Sequence, residues 1–295
     1  MSIYLTGASG FVGKNIIEFF RDSKKIVKAT RNTSIEFEEQ AVIHLAGKAH
    51  DLKNVSSSDE YYKVNTELTK DIFDAFLASD AKVFISLSSV KAVADEVDGE
   101  LTEDVIPNPI THYGKSKLLA EQYILSQPIP DGKRVYILRP CMIHGPGNKG
   151  NLNLLYNLAS KGFPWPLGLF ENTRSYLFIE NLCFIIKELI EREDIPSGVY
   201  NVADDVTLST NEVIKMIAES KGKKARILNL SKNLIKVLAR VGDLLKLPLN
   251  SERLQKLTES YIVSNAKINK ALGKQLPVSS KEGLMQTFKS FANNV

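Results

Sequence analysis

The stretch Ile3-Tyr4-Leu5-Thr6-Gly7-Ala8-Ser9-Gly10-Phe11-Val12-Gly13 begins as an apolar strand, breaks at a glycine and continues into a helical pattern that runs to about Asp22. In such a turn Gly7 permits the tight bend, Gly10 lets the backbone approach a pyrophosphate, and Gly13 lets helix and strand pack closely. The helix N-terminus then faces the phosphates. A plain turn with spare glycines is the competing interpretation, but glycines in three-residue steps directly after a strand favour a dinucleotide-binding fold.

Composition sets broad limits on this fold. With 295 residues, 43% of them hydrophobic and 24% charged, the chain has enough material for one large or two modest globular domains. The net charge of +4 suits a phosphate-bearing ligand without specifying one, and nothing indicates nucleic acid. The two cysteines, Cys141 and Cys183, are far apart in apolar surroundings, which indicates neither disulfides nor a metal site. We therefore expect a cytoplasmic protein that is neither secreted nor integral to a membrane, since no basic leader or bilayer-length apolar run is seen.

The second strand, Ile26 to Ala29, leads to Arg31, where NAD-specific folds usually carry an acidic residue for the ribose. An arginine there can accept the 2′-phosphate of NADP, although a solvated loop arginine is the alternative. The stretch from Asn32 to the next strand, Ala41 to Leu45, is too short for a helix and a strand. We expect the third strand of the usual arrangement to be missing or vestigial.

Polar residues follow the later strands at the edge where parallel sheets bind ligands. His44-Leu45-Ala46-Gly47 ends one strand, and Ser88-Ser89 ends the next, Lys82 to Leu87. A histidine at such a place is more often packed than catalytic. Asn65, inside a helix predicted over Glu60 to Ala78, either has a local role or points to the sheet and relays protons through water.

In Tyr113-Gly114-Lys115-Ser116-Lys117 a tyrosine and a lysine lie four residues apart and share one face of a helix. A phenol with a pKa near 10 is a poor base, and an ammonium one turn away favours the phenolate and lowers that pKa. The pair alone would equally suit a surface helix. Its place after the glycine turn and the serine strand end favours an acid/base site.

These motifs, with RPCMIHGPG at 139–147, occur in an order that resembles the extended short-chain dehydrogenase/reductase superfamily, in its branch of NAD(P)-dependent nucleotide-sugar epimerases, dehydratases and 4-ketosugar reductases. The segments 174–182 and 198–202 resemble later motifs of that branch, so the resemblance covers nearly the whole chain. It implies an α/β fold: a Rossmann-type doubly wound parallel sheet in residues 1–150, with 175–204 returning to it, and a smaller, mainly helical substrate-binding domain in 151–295.

The resemblance also implies site residues, position by position. The catalytic group is Ser89, Tyr113 and Lys117, with Asn65 as proton relay. The cofactor residues are Gly7, Gly10, Phe11, Val12, Gly13, Arg31, Leu45 and Ala46, together with Tyr113 and Lys117. The substrate residues are Ser88, Lys91, Asn151, Leu152, Arg174 and Arg253. An arginine fork suits a diphosphate, although each arginine could be an ordinary surface charge. No metal is implied.

At two places the sequence departs from the family pattern, and these departures limit the reactions that the resemblance implies. Val90 and Lys91 stand where sugar dehydratases have Asp-Glu, so dehydration is not expected, and the asparagine that many relatives carry near Met142 is replaced. The implied reaction is hydride transfer at carbon 4 of a UDP-hexose or UDP-N-acetylhexosamine, for surface polysaccharide precursors. NADP(H) is favoured over NAD and a reductase slightly over an epimerase, with a homodimer as the implied assembly. Two alternatives stay open: a non-catalytic NADP-binding sensor or scaffold, and a reductase of a non-nucleotide ketone.

A last pattern lies in Ser231 to Leu247, which combines an apolar stripe with Lys232, Lys236 and Arg240 beside it. A basic amphipathic helix of this kind can lie weakly on an anionic membrane surface. The favoured expectation is a cap helix whose apolar face packs against the substrate domain.

Overall fold

The computed structural model describes residues 2–29, 37–48, 57–148, 150–245 and 250–292. The chain forms two compact units. The first unit comprises Met1–Cys141, Ile179–Ala203 and Val263–Pro277. The second unit comprises Met142–Phe178, Asp204–Ile262 and Val278–Val295.

The elements follow in chain order. They are β1 Ser2–Thr6, α1 Phe11–Phe20, β2 Lys25–Lys28, β3 Ala41–His44, α2 Ser58–Tyr62, a π-helical segment Lys63–Glu67, α3 Leu68–Ala78, β4 Val83–Leu87, a 3₁₀ turn Val90–Ala92, β5 Glu100–Leu101, α4 His112–Ser126, β6 Arg134–Pro140, β7 Met142–His144, α5 Asn151–Ala159, β8 Tyr176–Phe178, α6 Ile179–Glu191, β9 Gly198–Val202, α7 Thr210–Glu219, α8 Lys232–Leu245, α9 Ser251–Thr258, β10 Ile262–Val263, α10 Ala266–Leu272 and α11 Ser280–Ala292.

The first unit is built on a six-stranded parallel sheet in the order β2-β1-β3-β4-β6-β9. β3 is buried at all four positions, because a parallel strand covered on both faces is continuously apolar rather than alternating. Helix α1 packs with α6, and α3 packs with α4. The chain reverses direction across the sheet between β1 and β3, which is where such folds bind ligands. The Rossmann-type doubly wound sheet is confirmed.

The third strand that we expected to be missing would lie at the edge of the sheet, beyond β2. Among the residues that the structure describes, none adds a strand outside β2. Residues 30–36 lie outside the described ranges, and Arg31 is one of them. The assignment of Arg31 to a 2′-phosphate therefore stays a prediction.

The second unit packs α5, α7 and α11 around its own apolar core. Strands β7 and β8 pair in parallel, with Met142 opposite Tyr176. This pairing explains why the first unit ends at Cys141 and returns at Ile179, whereas we expected a boundary at 150 and a return over 175–204. The segment Val263–Pro277 also belongs to the first unit, which the sequence did not indicate.

Helix α8 of the second unit is oriented differently from the favoured expectation. Its buried residues are Ile235, Ala239 and Gly242. The predicted apolar stripe is exposed instead, so the expectation that this face packs against the substrate domain is wrong. No helix in the described part of the chain is both long and apolar enough to cross a bilayer.

Candidate active site

The glycine turn between β1 and α1 is closed so tightly that side chains are excluded at Gly7 and Gly13. Gly7 has a φ of +69°, and a Cβ there would lie 2.8 Å from the backbone N of Ala46. A Cβ on Gly13 would lie 2.4 Å from the carbonyl O of Gly7. Gly10 is the N-cap of α1 and has no side chain that could accept hydrogen bonds from the first N–H groups of the helix. The first two of these N–H groups belong to Phe11 and Val12. These N–H groups form the kind of site that binds a pyrophosphate.

Thr6, at the end of β1, ties this turn to the end of β3. Its Oγ1 accepts the backbone N–H groups of Leu45 at 3.1 Å and Ala46 at 3.0 Å. Since both lone pairs are then used, the Thr6 hydroxyl proton points to Nδ1 of His44, 2.9 Å away. His44 therefore accepts at Nδ1 and carries its ring proton on Nε2.

The hydrogen-bond chain continues from His44 into the helix beneath the site. His44 Nε2 donates to Oγ1 of Thr69 at 2.9 Å, and that hydroxyl donates to the carbonyl of Asn65 at 2.8 Å. Burial, and then the charge of Lys117, lower the pKa of His44 to about 3. The ring is thus neutral at physiological pH and links the cofactor edge to Asn65.

Asn65 lies in the π-helical segment and is fully buried. Its side chain accepts from the backbone N–H of Lys48 at 2.7 Å and donates to the Lys48 carbonyl at 3.1 Å and to Oγ of Ser116 at 3.0 Å. A Cβ on Gly47 would lie 3.0 Å from both Asn65 Oδ1 and Lys117 Nζ. The amide and the ammonium therefore face the same position beside Gly47, and this glycine leaves it open.

Helix α4 starts at a firmly capped position next to β4. Thr111 is the N-cap, and its hydroxyl accepts from the N–H of Gly114 at 3.2 Å. Asp95 accepts from the N–H groups of Ile110 and Thr111 and from the Thr111 hydroxyl. A Cβ on Gly114 would lie 2.3 Å from the carbonyl O of Lys91, so glycine lets the helix approach the turn after β4. This contact fixes Tyr113 beside Ser89.

The phenol of Tyr113 and the hydroxyl of Ser89 are hydrogen-bonded. Burial raises the pKa of Tyr113, the Ser89 bond lowers it, and the neighbouring Tyr61 hydroxyl raises it, with a net increase. The expectation that Lys117 lowers this pKa is therefore not met in the protein alone. Desolvation outweighs the single hydrogen bond, and the Lys117 ammonium is directed elsewhere.

Lys117 is buried and donates to the carbonyl of Leu87 at 3.0 Å, at the end of β4. Burial lowers its pKa to about 8, against the opposing charge of Glu121 one turn further along α4. The Lys117 ammonium thus lies at the carboxyl edge of the sheet with much of its hydration lost.

Ser88 and Lys91 are placed differently from Ser89. Ser88 Oγ donates to Glu121, which forms a buried ion pair with Arg139 of β6, with Nη2 2.5 Å from Oε2. Ser88 therefore faces the protein interior, which corrects its assignment to substrate. The Lys91 ammonium donates to the carbonyl of Asp95 at 2.6 Å, so it braces the turn after β4.

The predicted diphosphate residues lie in the second unit. Arg174 donates to the carbonyl of Lys256 at 2.9 Å and pairs with Glu259, with Nη2 2.5 Å from Oε1. Arg253 is exposed on α9. Asn151 opens α5, but its side chain lies outside the described part. Leu152 is buried in the core of the second unit, which leaves only its backbone for a ligand.

Sequence reasoning missed four contributors to this site. Gly47, His44 and Thr6 shape and brace the cofactor edge, and Glu121 tunes Lys117. Glu121 could have been found from its spacing, because it lies four residues after Lys117 on the same helix face.

The lowered pKa of Lys117 predicts how stability depends on pH. Below about pH 8 the native and unfolded states both hold the proton, and the cost of the buried charge is constant. Between about pH 8 and the ordinary lysine pKa of 10.5 the unfolded state binds more protons, so stability rises with pH. The free energy of unfolding is measured with urea for wild type and for Lys117→Met at pH 7 and at pH 10. Between these two pH values, the free energy of unfolding of wild type is expected to rise relative to that of the variant by up to about 3 kcal/mol. A stability difference that stays constant with pH would contradict the assigned pKa.

The doubly wound sheet, the glycine turn at its switch point, and Ser89 after β4 with Tyr113 and Lys117 of α4 define a protein of the extended short-chain dehydrogenase/reductase type. A family model described as "NAD dependent epimerase/dehydratase family" matches residues 3–203. The chain belongs to this family.

Individual relatives agree with this assignment. The chain is 31% identical to a UDP-glucose 4-epimerase of Vibrio cholerae, over 99% of this chain and 97% of that one. It is 28% identical to an N-acetyl-alpha-D-glucosaminyl-diphospho-ditrans,octacis-undecaprenol 4-epimerase of Escherichia coli O157:H7, over 76% and 73%. Its fold matches a UDP-glucuronic acid 4-epimerase of Bacillus cereus solved with NAD, with a TM-score of 0.75, 19% identity and 99% of both chains covered.

Proposed function

We propose that the protein is an NAD(P)-dependent oxidoreductase acting at carbon 4 of a UDP-hexose or UDP-N-acetylhexosamine, as a 4-epimerase or 4-ketosugar reductase for surface polysaccharide precursors. The observation that carries the proposal is the hydrogen bond between Ser89 and Tyr113 with Lys117 one helical turn away. Support for a UDP-sugar comes from the Vibrio cholerae relative, whose name gives UDP-glucose as substrate.

Each residue of the site has its own role in the proposed reaction. Bound NAD(P) supplies the acceptor and donor of hydride. Tyr113 exchanges the hydroxyl proton of carbon 4, and Ser89 holds the reacting oxygen by a hydrogen bond. We assign Lys117 to the cofactor ribose, with its ammonium held at the end of β4 by the Leu87 carbonyl, and Asn65 to the proton relay, because both side chains face the same position beside Gly47. Gly7, Gly10 and Gly13 receive the pyrophosphate.

The cofactor distinguishes the two possible reactions. An epimerase oxidises carbon 4 and returns the hydride to the other face, so it recycles its cofactor within a turnover. A reductase consumes NADPH. We favour NADP(H) from Arg31, and the slight preference for a reductase rests on that residue alone.

The test is to release and identify any nicotinamide carried by the purified protein, and then to titrate the stripped protein with NADPH and NADH. Tightly retained NAD would identify an epimerase. Weakly held NADPH, preferred over NADH and losing that preference in Arg31→Ala, would identify a reductase. Failure to bind either cofactor would refute the proposal.

The diphosphate assignment of Arg174 gives a second prediction. Arg174→Lys retains the charge but loses the planar fork, so UDP is expected to bind about tenfold more weakly in calorimetry. Glu259 competes for the same guanidinium, so Glu259→Gln is expected to tighten UDP binding. Arg240→Lys, on an exposed helix of the same unit, is the matched control. UDP affinity unchanged in both Arg174→Lys and Glu259→Gln would assign Arg174 to the fold instead.

A hexose on a polyprenyl diphosphate is a second candidate substrate for the same chemistry. The Escherichia coli relative is named for such a substrate, and the exposed apolar face of α8 favours a protein that works near lipid. Turnover of a polyprenyl-diphosphate N-acetylhexosamine in detergent, with none of the UDP-sugar, would select this candidate.

A further inference from the structure

Helix α8 carries a continuous apolar surface that is left exposed by the residues of the second unit that the structure describes. Its six aliphatic side chains are between 43% and 83% exposed: Leu234, Val237, Leu238, Val241, Leu244 and Leu245. Their spacing of three and four residues places them on one face of the helix. We call these six residues the α8 stripe.

The helix is held to the protein without using this stripe. Ile235, Ala239 and Gly242 lie on a neighbouring face and are buried. Asp243 accepts hydrogen bonds from Ser251 at the start of α9, from the backbone N–H at 2.9 Å and from the hydroxyl at 2.5 Å. Because α8 is anchored in this way, the stripe remains available to another surface.

The charges around the stripe indicate the chemistry of that surface. Lys236 and Arg240 are exposed on the same helix, on the side of the stripe away from the buried face, whereas Lys232 lies opposite the middle of the stripe with its Nζ 5.9 Å from the ring centroid of Phe170. Asp243 is the single acidic residue in the sequence of α8, so the helix is positively charged overall. Cations beside an aliphatic face complement anionic lipid head groups above acyl chains.

A protein partner fits these residues less well. The core of a protein–protein interface is enriched in aromatic residues and depleted of lysine. The sequence of α8 contains no aromatic residue and places Lys236 and Arg240 beside the stripe. Aliphatic residues flanked by Lys and Arg are the pattern of helices that lie in the membrane interface.

We propose that α8 docks the protein on an anionic membrane surface, with the α8 stripe among the acyl chains and Lys236 and Arg240 at the lipid phosphates. This inference does not depend on the proposed substrate, since a nucleotide-sugar enzyme can equally work at the membrane that consumes its product.

The test is co-sedimentation of the full chain with vesicles of phosphatidylglycerol and phosphatidylcholine, compared with phosphatidylcholine alone. Binding is expected only to the anionic vesicles and is expected to weaken as salt is raised. Leu238→Asn with Val241→Asn should reduce binding about tenfold or more. Ile106→Asn, which changes an exposed isoleucine of the first unit, should leave it unchanged.

The charge contribution is tested in parallel. Lys236→Gln with Arg240→Gln is expected to weaken binding about tenfold, whereas Lys215→Gln with Lys289→Gln, exposed lysines elsewhere in the second unit, should have little effect. Thermal unfolding shows that each variant is folded without reference to turnover.

Three results would overturn the proposal. The first is wild type that stays in the supernatant at low salt, and the second is full binding by the Leu238→Asn, Val241→Asn variant. The third is a wild-type dimer, measured by analytical ultracentrifugation without lipid, that this variant converts to a monomer. That result would assign the α8 stripe to a second copy of the chain.

Discussion

Tyr113→Phe is expected to lower kcat by about 10²- to 10⁴-fold while leaving thermal stability and cofactor affinity close to those of wild type. The substitution removes a single oxygen, and the ring still packs edge-on to Tyr61 with centroids 6.3 Å apart. The lost oxygen is the one that is hydrogen-bonded to Ser89. Without it the site retains the serine and the lysine but has no group placed to exchange the proton of carbon 4.

The measurement is turnover at saturating cofactor and substrate, with nicotinamide fluorescence titrated in parallel. Tyr61→Phe is the matched control, because it removes a phenol from the same neighbourhood that has no proposed role in proton transfer. We expect its kcat to stay within a few-fold of wild type. If Tyr113→Phe turned over as fast as Tyr61→Phe, proton transfer by Tyr113 would be excluded.

The direction of the Tyr113 pKa adds a condition to this mechanism. In the protein alone, burial raises that pKa, so the phenol is neutral at physiological pH and is ready to act as an acid. A reductase needs an acid first, because hydride adds to carbon 4 of the keto-sugar and the oxygen on that carbon must be protonated. An epimerase needs a base first, which requires charge near the phenol to favour the phenolate. An ordinary phenol with a pKa near 10 is also neutral at physiological pH, so this direction does not choose between the two reactions.

The parts of the fold that could be predicted from sequence are those set by local patterns. β1, the glycine turn and α1 follow one another without a gap, so strand, turn and helix are all specified by neighbouring residues. β3 and β4 are short apolar runs that end in polar residues, which identified the ligand edge of the sheet. The Tyr113–Lys117 pair needed only helical spacing.

The network behind the catalytic residues could not be predicted, because its members are distant in sequence. Ser88 directly follows β4, whereas Glu121 lies in α4 and Arg139 in β6, so the three residues meet only when those elements pack. From sequence Ser88 and Ser89 were equivalent, since either could face the ligand edge. Their different partners decide which one faces Tyr113.

The buried face of helix α8 is a second feature that could not be predicted from the sequence pattern. The sequence pattern indicated one apolar face on this helix, the α8 stripe, whereas the structure buries the narrower row of Ile235, Ala239 and Gly242. The stripe is larger and more hydrophobic, and on burial energy alone it would be the inner face. In the structure the smaller row is nevertheless the inner face, so hydrophobicity does not decide the orientation of this helix.

Gly13→Ala is expected to destabilise the protein by about 3 kcal/mol and to abolish measurable cofactor binding. Two effects oppose each other here. Alanine is a better helix former than glycine by about 1 kcal/mol, so an isolated α1 would gain. In the protein the new Cβ would lie 2.4 Å from the carbonyl O of Gly7 and 2.8 Å from Cα of Ala8. Both contacts are with backbone that forms the glycine turn, so relief of the clash must move the turn itself, and the clash outweighs the gain.

Gly10→Ala tests the loss of cofactor binding separately from the loss of stability. Gly10 has a φ of −73°, which any residue adopts, and its Cβ would lie 3.3 Å from the Gly7 carbonyl O, a contact that relaxes with a shift of a few tenths of an ångström. We expect urea unfolding to show a loss below about 1 kcal/mol, while cofactor affinity falls about tenfold because the new methyl group stands where the pyrophosphate would approach. Should Gly10→Ala bind cofactor as wild type does, the pyrophosphate would not lie over this turn. Should Gly13→Ala be as stable as wild type, α1 would have room to move, and the close packing of helix on strand would not be what holds the site together.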